Sequence, residues 1–119
     1  MAHIACDVDG TADAAPHQIQ ELLQSLRAAG HRVSILTGTG DDEVTQDIFT
    51  AKANYLNSLG CGSCWDDMTV LSDKDIPGTK ATWCADNGVD IMIDNDKDNA
   101  KAIAAAGIPL VLVPWASRV

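Results

Sequence analysis

Two hydrophobic periods take turns along the chain. Short aliphatic runs at 3–6 (HIAC), 32–37 (RVSILT), 68–72 (MTVLS), 89–94 (VDIMID) and 109–114 (PLVLVP) are mostly uninterrupted, the pattern of parallel strands covered on both faces. Between the first two, Pro16 opens a segment whose Ile19, Leu22, Leu23 and Leu26 fall at i, i+3, i+4 and i+7, and Gly30 closes it, which predicts an amphipathic helix. Asp41 or Asp42 can cap a second helix in which Val44, Ile48, Ala51, Tyr55 and Leu59 share a face before Gly60. A third helix is predicted from Thr79 to Asn87 before Gly88, and a fourth from Lys97 to Ala106 before Gly107.

Such alternation predicts a three-layer, Rossmann-like α/β domain: a five-stranded parallel sheet, right-handed crossovers, and residues 1–119 as one domain without repeat or linker. In sheets of this kind ligands bind beyond the carboxyl ends of the strands. Asp7 and Asp9 follow the first strand, Thr37 ends the second, and Asp94, Asp96 and Asp98 follow the fourth.

Composition narrows the partners. Hydrophobic residues make up 46% and charged residues 21% of the 119 positions, with one Phe and one Tyr, which fits an aliphatic core and excludes a disordered chain. A net charge of -9 disfavours general attraction to nucleic acid or an anionic membrane, and is easier to reconcile with a local acidic site that holds a cation. No stretch reaches the length needed to span a bilayer, and the amino terminus has no basic region or cleavage signal, so a soluble, cytoplasmic protein is expected. In that compartment Cys6, Cys61, Cys64 and Cys84 are expected as thiols, Cys6 and Cys84 in the core. Cys61 and Cys64 form a CxxC, but no second CxxC or HxxxH accompanies it to complete a structural zinc site.

The acidic stretch DVDGT (7–11) alone reads equally as a solvated turn or as the start of a site. Taken with ILTGTG (35–40), Lys80 opening a helix, and IMIDNDKD (91–98), it resembles the ordered motifs of the haloacid dehalogenase-like superfamily, over Ile4 to about Val113. The resemblance implies a Mg²⁺-dependent phosphatase that passes through an aspartyl phosphate. Asp7 would be the nucleophile and Asp9 the general acid and base, with Thr37, Gly38 and Lys80 against the phosphoryl group. Asp7, the Asp9 carbonyl and Asp94 would hold Mg²⁺, and Asp98 would orient a metal-bound water or Lys80. Asp9 favours phosphoryl transfer over dehalogenation, since dehalogenases of this family usually lack an acid at that position.

Elementary electrostatics supports the need for a cation. Two like charges about 4 Å apart repel by roughly 4 kcal/mol at an effective dielectric of about 20, and a phosphate dianion beside several carboxylates meets several such terms. Mg²⁺ prefers carboxylate, carbonyl and water oxygens.

The sequence also departs from the resemblance. Only TADAA (11–15) separates the acidic stretch from the first helix, and one helix plus GCGSCWDD (60–67) separates Gly40 from the third strand, which leaves no room for a cap domain. An open site admits larger phosphorylated substrates, nucleotides, sugar phosphates or phosphorylated macromolecules, or borrows a wall from a second subunit. Thr39 stands where relatives often carry arginine. Lys80 lies fourteen positions before Asp94, a short interval, and Lys74 is its rival; Asp96 is an alternate ligand to Asp94. Two other readings compete: a receiver-like phosphoacceptor, although nothing basic follows Val113 until Arg118, and a polynucleotide end phosphatase. His3, His17 and His31 sit at element edges. Trp65 either lines an entrance or packs, Trp83 fits the buried face of the third helix, and Trp115 either covers the sheet end or stacks on substrate.

Overall fold

The computed structural model describes residues 1–114; Trp115 and Arg118 lie outside the described residues. Strands β1 (His3–Cys6), β2 (Arg32–Gly38), β3 (Asp67–Leu71), β4 (Ile91–Ile93) and β5 (Leu110–Leu112) form one sheet in the order β3-β2-β1-β4-β5, every pair parallel. The expected α/β class and five-stranded parallel sheet are present, and no cap is evident among the described residues.

Helices α1 (Pro16–Ala28), α2 (Gln46–Ser58), α3 (Ile76–Asp86) and α4 (Lys97–Ala105) make the crossovers. Alternation along each strand sorts the core into two layers. Ile4, Cys6, Val33, Ile35, Met68, Val70 and Ile93 face α1 and α2, where they meet Ile19, Leu23 and Leu56. Ala5, Leu36 and Met92 face the other way, onto Ala81 and Cys84 of α3 and Ile103 of α4. Cys61 and Cys64 are buried in the first layer, and all four cysteines are free thiols.

Helix starts differ from the sequence expectation. Between β2 and α2, Thr39 and Asp41 bond each other locally, Asp41 N donating to Thr39 Oγ1 (2.8 Å) and Asp42 N to Asp41 Oδ1 (2.7 Å). These turns consume the residues expected to cap α2, so Thr45 caps it instead, its hydroxyl accepting from Ile48 N at 3.2 Å. The inward face of α2 shifts with it: Leu56 is buried, Ile48, Phe49, Ala53 and Leu59 pack on the core, and Val44 and Tyr55 are exposed. Helix α3 begins at Ile76, with Pro77 in its first turn, three residues earlier than expected. On α1, Ile19 and Leu23 are buried, Leu26 packs against the core and Leu22 is exposed.

The histidines at the element edges have partners. His3 is buried, with Ser34 Oγ at 2.7 Å and the Asn87 carbonyl at 2.9 Å, and Trp83 meets its ring edge-to-face at 5.9 Å. His31 Nδ1 accepts from Ala2 N at 2.9 Å. Trp65 is partly buried and packs on the core.

Candidate functional site

The strand order runs outward in both directions from β1, so neighbouring β1 and β4 send their crossovers to opposite faces. A crevice opens at such a switch point, at the carboxyl ends of the two strands. Asp7 follows β1 directly and its N–H still donates to Ile93 O (2.9 Å); Asp94 follows β4 and donates in the same way to Leu112 O (3.0 Å). The sheet ladder thus fixes both carboxylates on either side of the crevice.

Lys80 reaches them from α3. Its Nζ lies 2.9 Å from Asp7 Oδ1 and 2.7 Å from Asp94 Oδ2, with side-chain exposures of 2% for the lysine, 8% for Asp7 and 0% for Asp94. Burial penalises the ammonium, yet the two carboxylates outweigh it and hold the lysine above its ordinary pKa. Asp7 moves up as well, to about 6: desolvation raises it most, Asp94 adds to this, and Lys80 only partly offsets them. Lys74, the rival on sequence grounds, is exposed and does not line the crevice.

Both oxygens of Asp94 are engaged. Oδ2 accepts from Lys80 and from Asn99 Nδ2 (3.3 Å), and Oδ1 accepts from Asp96 N (3.0 Å). Asp96 caps α4 through Asn99 N (2.9 Å) and lines the crevice, whereas Asp98 stands exposed on the first turn of α4 and does not. The register of α4 explains the exchange: Asn99, one residue further round, is the first-turn side chain turned toward Asp94. Its Oδ1 is buried and has no partner.

After Asp7 the chain makes one wide turn, Val8–Ala12. Gly10 has φ +78°, and a Cβ there would come within 2.4 Å of Asn95 Nδ2, so only glycine fits both the dihedral and the contact. Asp9 projects from this turn with its side chain 61% exposed and 2.6 Å from Lys52 Nζ of α2. Tyr55, also on α2, donates to Asp13 Oδ2 (2.8 Å), and Asp13 Oδ1 accepts from Gly10 N (2.7 Å). Helix α2 therefore braces the turn.

Asn95 closes the remaining side. The inward atom of its amide is 3.1 Å from Asp7 Oδ2, 2.9 Å from the Asp9 carbonyl oxygen and 3.2 Å from Thr11 Oγ1. Acceptors surround that atom, which makes it the amide nitrogen, donating to Asp7 Oδ2, the Asp9 carbonyl and Thr11 Oγ1. Asp7 and the Asp9 carbonyl are oxygen donors of the kind a hard cation prefers, and Asn95 could add a third only with its amide turned to bring the oxygen inward.

Asp7, Asp9, Gly38, Asp73, Lys80, Asn95 and Asp96 are among the residues lining a cleft of about 220 Å³. Thr37 is buried below it, its hydroxyl directed to the Gly38 carbonyl at 3.4 Å. Gly38 comes so close to Asp73 that a Cβ would sit 2.2 Å from Asp73 Oδ1. A wider cleft of about 430 Å³ beside α3, lined by Leu71, Asp75, Thr79 and Trp83, contains none of the residues singled out from the sequence for chemistry. Chemistry, not volume, picks out the smaller one. Asn95, Asn99 and Lys52 escaped the sequence reading; Asn95 had one signal, its place beside Asp94 directly after a strand.

Fold and site define a Rossmann-like α/β protein with a buried carboxylate–lysine pair at its switch point. No family model matches the chain, and no curated protein matches its sequence. Solved structures do resemble it. A universal stress protein in complex with cAMP has TM-score 0.63 and 12% identity over 95% of both chains. A universal stress family protein from Burkholderia pseudomallei has TM-score 0.62 and 14% identity, covering 95% of this chain and 96% of that one. The D,D-heptose 1,7-bisphosphate phosphatase from B. bronchiseptica, complexed with magnesium and phosphate, has TM-score 0.63 and 18% identity over 94% of this chain and 80% of that one. At these identities the likeness is one of fold. No helix among the described residues is long and apolar enough to cross a membrane.

Proposed function

We propose that the protein is a haloacid dehalogenase-like phosphatase, one capless domain over residues 1–119, that hydrolyses phosphomonoesters with Mg²⁺ through a phosphoaspartate on Asp7. The observation that carries this reading is the contact of Lys80 with Asp7 across 73 positions of sequence, beside Asp9 in one cleft. A buried carboxylate backed by a buried ammonium is what attack on phosphorus requires.

An oxygen of Asp7 forms a bond to phosphorus as the bond to the leaving alcohol oxygen breaks, and Asp9 gives that oxygen its proton. Lys80 places positive charge against the phosphoryl oxygens in both steps. Water then loses a proton to Asp9 and bonds to phosphorus, the Asp7–phosphorus bond breaks, and inorganic phosphate leaves with both carboxyl groups restored. Thr37 must turn its hydroxyl from the Gly38 carbonyl to join in. Mg²⁺, held by Asp7, the Asp9 carbonyl and Asn95, would supply charge neutralisation between carboxylate and phosphate. Asn95, with its amide oxygen turned inward, is proposed for this place beside Asp94, the ligand expected from the sequence, whose oxygens meet Lys80, Asn99 and the backbone of Asp96.

The heptose bisphosphate phosphatase shares the fold, but so do the two universal stress proteins, and the reading therefore rests on the site residues and not on the likeness. The sheet order supports it against a receiver, whose flavodoxin-like order is 2-1-3-4-5 rather than the 3-2-1-4-5 found here. Replacing Asp7 with Asn should abolish Mg²⁺-dependent hydrolysis of 4-nitrophenyl phosphate while the far-ultraviolet circular dichroism stays that of the folded protein. Undiminished turnover in that variant rejects the mechanism.

A further inference from the structure

We propose that Lys52 binds a second anionic group of the substrate, so that the site selects phosphomonoesters carrying a carboxylate or another phosphate on the carbon next to the ester. This deepens the phosphatase reading and rests on it.

Lys52 sits mid-way along α2 with its side chain 16% exposed and its Nζ 2.6 Å from Asp9 Oδ2. In the proposed reaction Asp9 meets the leaving oxygen, one hydrogen-bond length of about 2.7 Å away. The ammonium therefore lies within about 5 Å of that oxygen, the reach of a substituent on the adjacent carbon. Its present partner is weakly held, because Asp9 is well exposed and water competes for the pair. With Asp9 Oδ2 between the leaving oxygen and Lys52, a substrate anion on the adjacent carbon joins Asp9 on the ammonium, which has three protons to donate.

Two features direct the anion there. Asp73 and Asp96 line the cleft as well, and their carboxylates repel a second negative charge placed near them. Thr39, which follows Gly38, is uncharged, so α2 provides a cation that the β2 loop does not. The helix that carries Lys52 is held independently of Asp9, since Tyr55 ties it to Asp13 and through it to Gly10.

Glycerol 2-phosphate, 2-phosphoglycerate and glycerol 1,2-bisphosphate share one ester position and differ in the neighbouring group: hydroxymethyl, carboxylate or phosphate. Wild type should favour at least one of the two compounds that carry a second anionic group over glycerol 2-phosphate by about tenfold or more in kcat/KM, through KM. In Lys52→Ala that ratio should fall to within about twofold of unity, and Lys52→Arg should retain most of it. A preference for one compound alone identifies carboxylate or phosphate as the anion. A wild-type ratio near unity, or a ratio that Lys52→Ala leaves intact, overturns the assignment. Calorimetric binding of the same compounds to Asp7→Asn in Mg²⁺ separates the two levels. Affinity ranked by the second anion, without Asp7-dependent hydrolysis in wild type, removes the phosphatase reading and keeps Lys52 as an anion site. Hydrolysis without ranking does the reverse, and absence of both removes both.

Discussion

Lys80 Nζ and Asp94 Oδ2 lie 2.7 Å apart, the lysine 2% and the aspartate 0% exposed, with Asp7 on the same ammonium at 2.9 Å. One buried cation thus serves two buried carboxylates. Removing it leaves two unpaired charges in the interior, a loss of about 3–5 kcal/mol for a broken buried pair. Lys80→Met should lower the urea midpoint accordingly, and Lys80→Met combined with Asp94→Asn should recover part of the loss, because the second change removes one of the stranded charges.

The pKa of Asp7 gives the second prediction. Its carboxyl is pushed up to about 6, above its ordinary range, chiefly because burial disfavours the carboxylate. The native state therefore binds this proton more tightly than the unfolded chain, and the stability it contributes is present at low pH and declines as pH rises from about 4 to about 6. In chelator-treated protein a carboxyl ¹³C resonance absent from Asp7→Asn should titrate with a midpoint near 6. Added Mg²⁺ should move that midpoint down, since an adjacent cation favours the carboxylate. A midpoint indifferent to Mg²⁺ argues that the ion does not meet Asp7.

Much of the fold could be read from residues, and the site in part. Five apolar runs found the five strands, because strands buried on both faces announce themselves by composition. Helix α2 starts later than its sequence suggests because the Asp41 carboxylate accepts from Asp42 N in the turn with Thr39, and Thr45 caps the helix instead. Asp7 and Lys80 were legible from type and order along the chain. Asp98 and Asn99 were not, because one residue of helix phase decides which side chain faces Asp94, and an asparagine carries less chemical signal than an aspartate. Lys52 was invisible for another reason: its partner Asp9 is 43 positions away, and no local pattern marks that contact.

Asp66 governs acid sensitivity away from the cleft. Its carboxylate accepts from Val33 N (2.8 Å) and from Arg27 Nε (2.9 Å), and the backbone bond is the main reason its pKa is lowered. A depressed carboxylate contributes stability above its unfolded value of about 3.9, and that contribution disappears as pH falls through the folded value. Asp66→Asn should therefore be less stable than wild type at pH 7, and the difference between their thermal midpoints should shrink steadily below pH 4. A difference independent of pH assigns the effect to shape and not to charge.

Gly10 and Asn95 tie the turn after Asp7 to the floor of the cleft. An alanine at position 10 brings a Cβ within 2.4 Å of Asn95 Nδ2 on a backbone with φ +78°, so Gly10→Ala should both destabilise the fold by about 1 kcal/mol or more and displace the amide. Changes to Asn95 itself separate its two roles. Asn95→Ala removes the amide proposed to turn its oxygen toward the ion and should weaken Mg²⁺ binding by about tenfold, or about 1.4 kcal/mol, by calorimetry. Asn95→Asp should act in opposite directions with and without the ion. In chelator its new charge faces Asp7 Oδ2 at 3.1 Å and lowers the thermal midpoint, whereas in Mg²⁺ the same charge joins the donor set and raises it above wild type. If Asp94 were the ligand instead, neither change at Asn95 would alter the affinity and Asp94→Asn would abolish it, so the pair of variants decides between neighbouring residues of one chain.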